Sequence, residues 1–144
     1  MGLFGDLTIP QGSDGIVLFA HGSGSSRLSP RNQFVARELN KERIATLLFD
    51  LLTQKEEEND RLTGHIRFNI ILLANRLVKV TDWVLKNPKT MRLKIGYFGA
   101  STGAAAALMA AVERSTIVKT VVSRGGRPDL SDSLGNVKCP VLLM

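Results

Sequence analysis

With 144 residues, 44% of them hydrophobic and 22% charged, and with 13 glycines against five prolines, the chain has the make-up of one globular domain, so disorder and collagen-like repeats are excluded. A chain of this size buries roughly 68–70% of the surface its unfolded form exposes, and its single cysteine, Cys139, and two histidines allow neither an internal disulfide nor a zinc cluster. Nineteen Lys and Arg against 13 Asp and Glu give a formal charge of +6, but the basic residues are scattered and the longest charge run, Lys55-Glu56-Glu57-Glu58, is mostly acidic. A basic stripe with interleaved aromatics, the mark of a nucleic-acid partner, is lacking.

The first residues, Met1 to Gly12, have neither a basic stretch nor a sustained apolar core, so they do not read as a signal peptide. Leu7 to Pro10 is a weak strand, closed by turn-forming residues through Gly15. Ile16 to Ala20 is a continuous apolar run, as a strand buried on both faces requires. The loop His21-Gly22-Ser23-Gly24-Ser25-Ser26 follows, and then Ser29 caps a helix that starts at Pro30 and runs to Lys41. Ile44 to Phe49 is a second buried strand ending at Asp50, and Leu51 to Asp60 reads as a polar loop.

From Arg61 to Lys86 the residues Leu62, Ile66, Ile70, Leu73, Leu77, Val80 and Val84 recur at steps of three and four. That spacing predicts one long helix with a single apolar face, stopped by Asn87-Pro88. Leu93 to Phe98 is a third strand, followed by an alanine-rich helix from Thr102 to Arg114. Ile117 to Val122 is a fourth, and Lys138 to Met144 holds a fifth. Strands alternating with helices predict a single α/β domain over residues 1–144, with a mostly parallel sheet and helices on both faces. No uncharged apolar run reaches 18 residues, so no membrane partner is expected, and the single cysteine suits a reducing, cytoplasmic location.

Chemistry is concentrated at two strand ends. Gly99-Ala100-Ser101-Thr102-Gly103 fits G-x-S-x-G, a sharp strand-to-helix turn that presents a serine as nucleophile; Gly99 and Gly103 keep the turn free of clashing side chains. The pentapeptide alone is a weak signal, and its place between a strand and a helix strengthens it. The loop after Ala20 should share the same rim, since ligands of open α/β sheets bind at the carboxyl ends of the strands. Gly22 and Ser23, with the N–H of Thr102, are candidate oxyanion-hole donors. His21 is expected to fix its loop by hydrogen bonding, and no lysine stands at the spacing of a phosphate-binding loop. Asp50 is a candidate for orienting the site or holding a loop, and Asp129 is the tempting acid.

Through Val17–Ser26, Ser29–Asn32, Leu47–Thr53, Gly96–Gly103 and Val122–Asp129 the chain resembles α/β-hydrolases, and more narrowly dienelactone-hydrolase-like proteins. The resemblance covers nearly the whole chain. It implies hydrolysis of a small-molecule ester or lactone through an acyl-serine intermediate, with no metal or organic cofactor. In this fold the order is nucleophile, acid, histidine, yet both histidines, His21 and His65, precede Ser101. His65, beside Ile66, suits a solvent-facing or capping role.

In similar proteins the acid follows the strand begun by Val141–Met144 and the histidine comes later. The resemblance therefore implies that Asp129 is not the acid. It also implies a C-terminally incomplete hydrolase domain, with strands and a helix missing, and weak or absent activity in these 144 residues. Without its base a serine triad keeps roughly 10³–10⁴ of rate over water. The alternative is a non-catalytic module of the same fold that binds a small ligand or a protein. An uncovered sheet also carries a risk of self-association.

Overall fold

A computed structural model describes residues 2–126 and 134–144. Six strands form one sheet in the order β1-β3-β2-β4-β5-β6. They are β1 (Gly5–Thr8), β2 (Gly15–Ala20), β3 (Ala45–Phe49), β4 (Lys94–Ala100), β5 (Val118–Arg124) and β6 (Val141–Leu143). Only β1 runs antiparallel, against β3; every other pairing is parallel. The α-helices among the described residues are α1 (Pro30–Lys41), α2 (Gln54–Thr63), α3 (Ile70–Lys86) and α4 (Thr102–Glu113). Together they make the α/β-hydrolase fold, with helices on both faces of the sheet.

Alternation along the central strands sorts side chains to two cores, because successive residues of a strand point to opposite faces. Ile16, Leu18 and Ala20 of β2 join Leu47, Ile95 and Tyr97 in the larger cluster, against α3 and α4. Phe19, Leu48 and Phe98 face the other way and pack with Ala36 of α1. The Phe19 and Phe98 rings stand 5.1 Å apart. Helix α4 is buried nearly all round; its alanines let its backbone lie close to β4 and β5. The buried hydroxyl of Thr81 donates to the Leu77 carbonyl at 2.8 Å and so accepts from Tyr97, 2.7 Å away. A polar pair inside the larger core is thereby satisfied.

Helix α1 has the bounds its sequence predicts, with the Ser29 hydroxyl accepting the Asn32 N–H. The region from Leu51 to Lys86 does not. Residues 54–63, spanning most of the stretch expected to be a loop (Leu51–Asp60) and the first three residues of the expected long helix, form α2, and that single helix is broken after it. Gly64 closes α2 at a φ of 67°, Ile66–Phe68 make one 3-10 turn, and α3 starts only at Ile70. The physical reason is at the ends. Thr53 and Glu56 form a reciprocal capping box that starts α2, which satisfies two otherwise orphaned N–H groups. Left-handed Gly64 then ends it.

Of the expected stripe, Ile70, Leu73, Leu77 and Val84 are buried, whereas Leu62 is 89% exposed. The first strand is Gly5–Thr8 rather than Leu7–Pro10, and β6 is confined to Val141–Leu143. Among the described residues β6 pairs on one side only, with β5, and Leu142, Leu143 and Met144 are exposed. No helix among the described residues is long and apolar enough to cross a membrane.

Candidate active site

β2, β4 and β5 end side by side, with Ala20 paired to Gly99 and Ala100 to Arg124. Between β4 and α4 there is one residue, so Ser101 alone makes the reversal. It does so at φ 53° and ψ −122°, a backbone region that costs a residue bearing Cβ about 1–3 kcal/mol. The Ser101 N–H donates to the Arg124 carbonyl at 3.2 Å, and its own carbonyl accepts the Ala104 N–H at 3.0 Å. The first N–H that the helix leaves open beyond Ser101 is therefore that of Thr102.

The flanking glycines are needed by contact. A Cβ on Gly99 would lie 2.5 Å from the Ala104 Cα, and one on Gly103 would overlap the carbonyl oxygens of Ala20 and His21. Gly103 thus presses the start of α4 onto the end of β2, which brings the two candidate loops together. Gly22 backs directly onto the serine: a Cβ there would stand 3.2 Å from the Ser101 Cβ. Gly22, Ser23 and Thr102, the three candidate oxyanion-hole residues, border one cavity of about 370 Å³.

His21 is locked into its loop. Its Nε2 accepts the Leu51 N–H at 3.0 Å, and its Nδ1 lies 2.8 Å from the Gly22 carbonyl. A ring whose Nε2 accepts carries its proton on Nδ1, so both nitrogens are engaged in holding backbone. Burial pushes this imidazole below its usual range, against smaller opposing effects from Gly22, Asp50 and Glu57. Asp50 also holds a loop: its two oxygens accept the Arg27 N–H at 2.8 Å and the Arg27 guanidinium at 2.7 Å. His65 is exposed and makes no side-chain cap. Asp129 lies outside the described residues. Among the described residues no group of three or more His, Cys, Asp and Glu is placed to hold a metal ion.

Residues that sequence reasoning passed over complete the surroundings. Arg124, at the end of β5, donates to the Asn32 side chain at 3.1 Å and lies 5.6 Å over the Phe98 ring. Arg67 donates through Nε to Asp60 Oδ2 at 2.6 Å, and both border the cavity. Arg67 and Asp60 lie within or beside the stretch taken for one long helix, where their turn towards the loop could not be seen.

A dienelactone hydrolase from Anabaena variabilis, solved by crystallography, superposes on the chain with a TM-score of 0.96 at 63% identity, over 98% of this chain and 66% of that one. The chain belongs to the α/β-hydrolase superfamily and is dienelactone-hydrolase-like. An α/β serine hydrolase homologue from Coxiella burnetii shares the fold, with a TM-score of 0.75 at 18% identity over 98% of this chain and 66% of its own. A Mycobacterium tuberculosis protein provisionally named a phosphoribosyl transferase is 57% identical over 141 residues, 97% of this chain. The chain spans only 31% of the length of that relative. No family model matches the present chain.

Proposed function

We propose that the protein is a serine hydrolase in which Ser101 attacks the carbonyl carbon of a small ester or lactone. The observation that carries this reading is the Ser101 backbone, held at φ 53° between β4 and α4 with Gly22 against it. Strain of that size at a residue other than glycine is expected where function requires it. In the proposed reaction the Ser101 Oγ bonds to the carbonyl carbon, its proton passes to a base, and the oxyanion is held by N–H groups of Thr102 and of the Gly22-Ser23 loop. Collapse breaks the bond to the alcohol oxygen, which takes the proton back. Water then hydrolyses the acyl-serine to the acid; a lactone gives a single hydroxy acid.

His21 is unsuited to be the base, since both of its nitrogens hold backbone. We assign the base and its acid partner to chain following Met144, in keeping with a solved relative of greater length. The name of the longer mycobacterial relative is not carried over, because about two thirds of that protein lies outside the match. The non-catalytic alternative leaves the strained serine without a purpose.

The test is hydrolysis of p-nitrophenyl acetate and of a five-membered lactone by a chain extended past Met144, and by the same chain with Ser101→Ala. Turnover should fall by about 10³-fold or more in the variant. Unchanged turnover would remove Ser101 from the reaction. Ordinary turnover by the 144 residues alone, lost with Ser101→Ala, would overturn the assignment of the base.

A further inference from the structure

The loop from His21 to Arg27 is fastened to the body of the domain at both ends, and both fastenings land on neighbouring residues. At its start, His21 Nε2 accepts the Leu51 N–H at 3.0 Å. At its end, the Asp50 carboxylate takes Arg27 twice, the backbone N–H on Oδ1 at 2.8 Å and the guanidinium on Oδ2 at 2.7 Å. Asp50 and Leu51 are consecutive in the segment that leaves β3, so the loop closes on one short base.

Between the fastenings, Gly22–Ser26 hydrogen-bond, among the described residues, only to the loop itself and to the residues that lead into α1. Gly24, left-handed at φ 71°, lies in the middle, and a glycine backbone changes conformation at little steric cost. The shape of this stretch therefore depends on what holds its ends.

The hold at Asp50 reaches the candidate oxyanion donor through covalent geometry. A trans peptide is planar and carries its carbonyl and its N–H on opposite sides. The Gly22 carbonyl is held by the Ser25 N–H at 3.2 Å and by His21 Nδ1 at 2.8 Å, so the Ser23 N–H, in the same peptide, is turned the other way. Ser25 keeps its place while the chain after it is anchored, and the anchor is Arg27 on Asp50.

Arg27 is braced in turn by the N-terminal segment. Its Nε stands 3.4 Å from Asp6 Oδ2 and its guanidinium lies 5.5 Å over the Phe4 ring, while the Asp50 N–H donates to the Phe4 carbonyl at 2.9 Å. The side chains of Asp50 and Arg27 are 13% and 26% exposed, so salt screens their pair less than a surface ion pair.

We infer that Asp50 and Arg27 are positioning residues for the hydrolysis: their pair fixes the far end of the loop and so holds the Ser23 N–H in place for the oxyanion before substrate arrives. The role is exerted through the loop and needs no contact with the reacting atoms. It rests on the reading of Ser101 as nucleophile. Because the oxyanion exists only in the transition state, loss of this hold lowers kcat and leaves KM nearly unchanged.

The test uses the chain extended past Met144, with p-nitrophenyl acetate for kcat and KM. Phenylboronic acid is the inhibitor, since its tetrahedral adduct with a serine places an oxygen where the oxyanion forms. Asp50→Ala should lower kcat by about 10²-fold, the effect of a lost oxyanion donor, change KM by less than about threefold and weaken the boronic acid in step with kcat. Arg27→Ala, which keeps its backbone N–H on Asp50, should lower kcat by about tenfold, and Arg27→Lys, which keeps a cation there, should recover most of that loss. Circular dichroism checks the fold of each variant, and Arg27→Ala carries the test should Asp50→Ala not fold. A folded variant of either residue to alanine with unchanged kcat and boronic acid affinity, or a loss confined to KM, would overturn the inference. Ser101→Ala in the same assay separates the two readings. Normal turnover by that variant would remove the nucleophile on which the positioning role depends, whereas an inactive Ser101→Ala beside a fully active Asp50→Ala would remove the positioning role alone.

Discussion

The Leu51 backbone N–H donates to His21 Nε2 at 3.0 Å across 30 positions of chain, tying the loop after β2 to the end of the segment that leaves β3. His21 must stay neutral to accept this bond. Its ordinary value of 6.5 applies to the unfolded chain, and burial lowers it in the fold. Between those two values the unfolded state binds the extra proton, so stability rises with pH across the window and is lost as pH falls through it. Urea unfolding between about pH 7 and about pH 5 should show this slope, and His21→Gln should flatten it. An identical slope in the variant would mean that His21 is not the titrating group.

Ser101 carries its strain in the backbone, so removing the side chain should separate stability from function. Ser101→Gly relieves a left-handed φ and should make the protein about 1 kcal/mol more stable than Ser101→Ala, which keeps the Cβ. Both should be inactive. Thermal unfolding of the two variants side by side checks this, and equal stability would mean that the turn relaxes without cost.

Gly103 has no room for a methyl group, because the obstructing atoms are backbone carbonyls of Ala20 and His21 rather than flexible side chains. Gly103→Ala should therefore destabilise by about 3 kcal/mol or more. At Gly64 nothing lies within 4 Å of an added Cβ, and only the left-handed backbone opposes it. Gly64→Ala should cost about 1 kcal/mol. Denaturant midpoints of the two variants would separate overlap from strain.

Glu56 closes the capping box of α2 and binds Arg76 through both oxygens, at 2.6 and 2.9 Å. The Arg76 hydrogen bonds, opposed by burial and assisted by Thr53, hold its carboxyl at about 2, against an ordinary 4.5. A carboxylate lowered in the fold contributes stability that is present above the unfolded value and lost as pH falls towards the folded one. Glu56→Gln should cost roughly 1–3 kcal/mol at neutral pH and remove the acid loss between about pH 4.5 and about pH 2. Circular dichroism of acid unfolding provides the comparison.

The parts of the fold that bury apolar residues at regular spacing were readable from sequence. β2 and β3 are continuous apolar runs, α1 has Ser29 and Pro30 at its start, and Ile70, Leu73, Leu77 and Val84 share one face of α3. Helix α2 was hidden because it buries almost nothing: Asp60 is its only buried residue. Its signals were at its ends, in the Thr53-x-x-Glu56 pair and in Gly64, and the steps through Leu62 and Ile66 obscured them.

At the site, the serine turn and the Gly22 loop were legible because glycine spacing reports close backbone approach. The lock on His21 was foreseen in kind but not in partner, since Leu51 lies in another loop. Arg67 and Asp60 reach the cavity only because the chain turns at Gly64. No local pattern around those two residues records that turn.

The most direct measurement is reaction of a fluorophosphonate probe with the chain extended past Met144, with the modified residue located by peptide mass spectrometry. A single adduct on Ser101, absent from Ser101→Ala and unaffected by substitution of Ser23, is the expected result. Failure of the folded, extended protein to react, or an adduct on Ser23, Ser25 or Ser26 in place of Ser101, would contradict the assignment of Ser101 as the nucleophile.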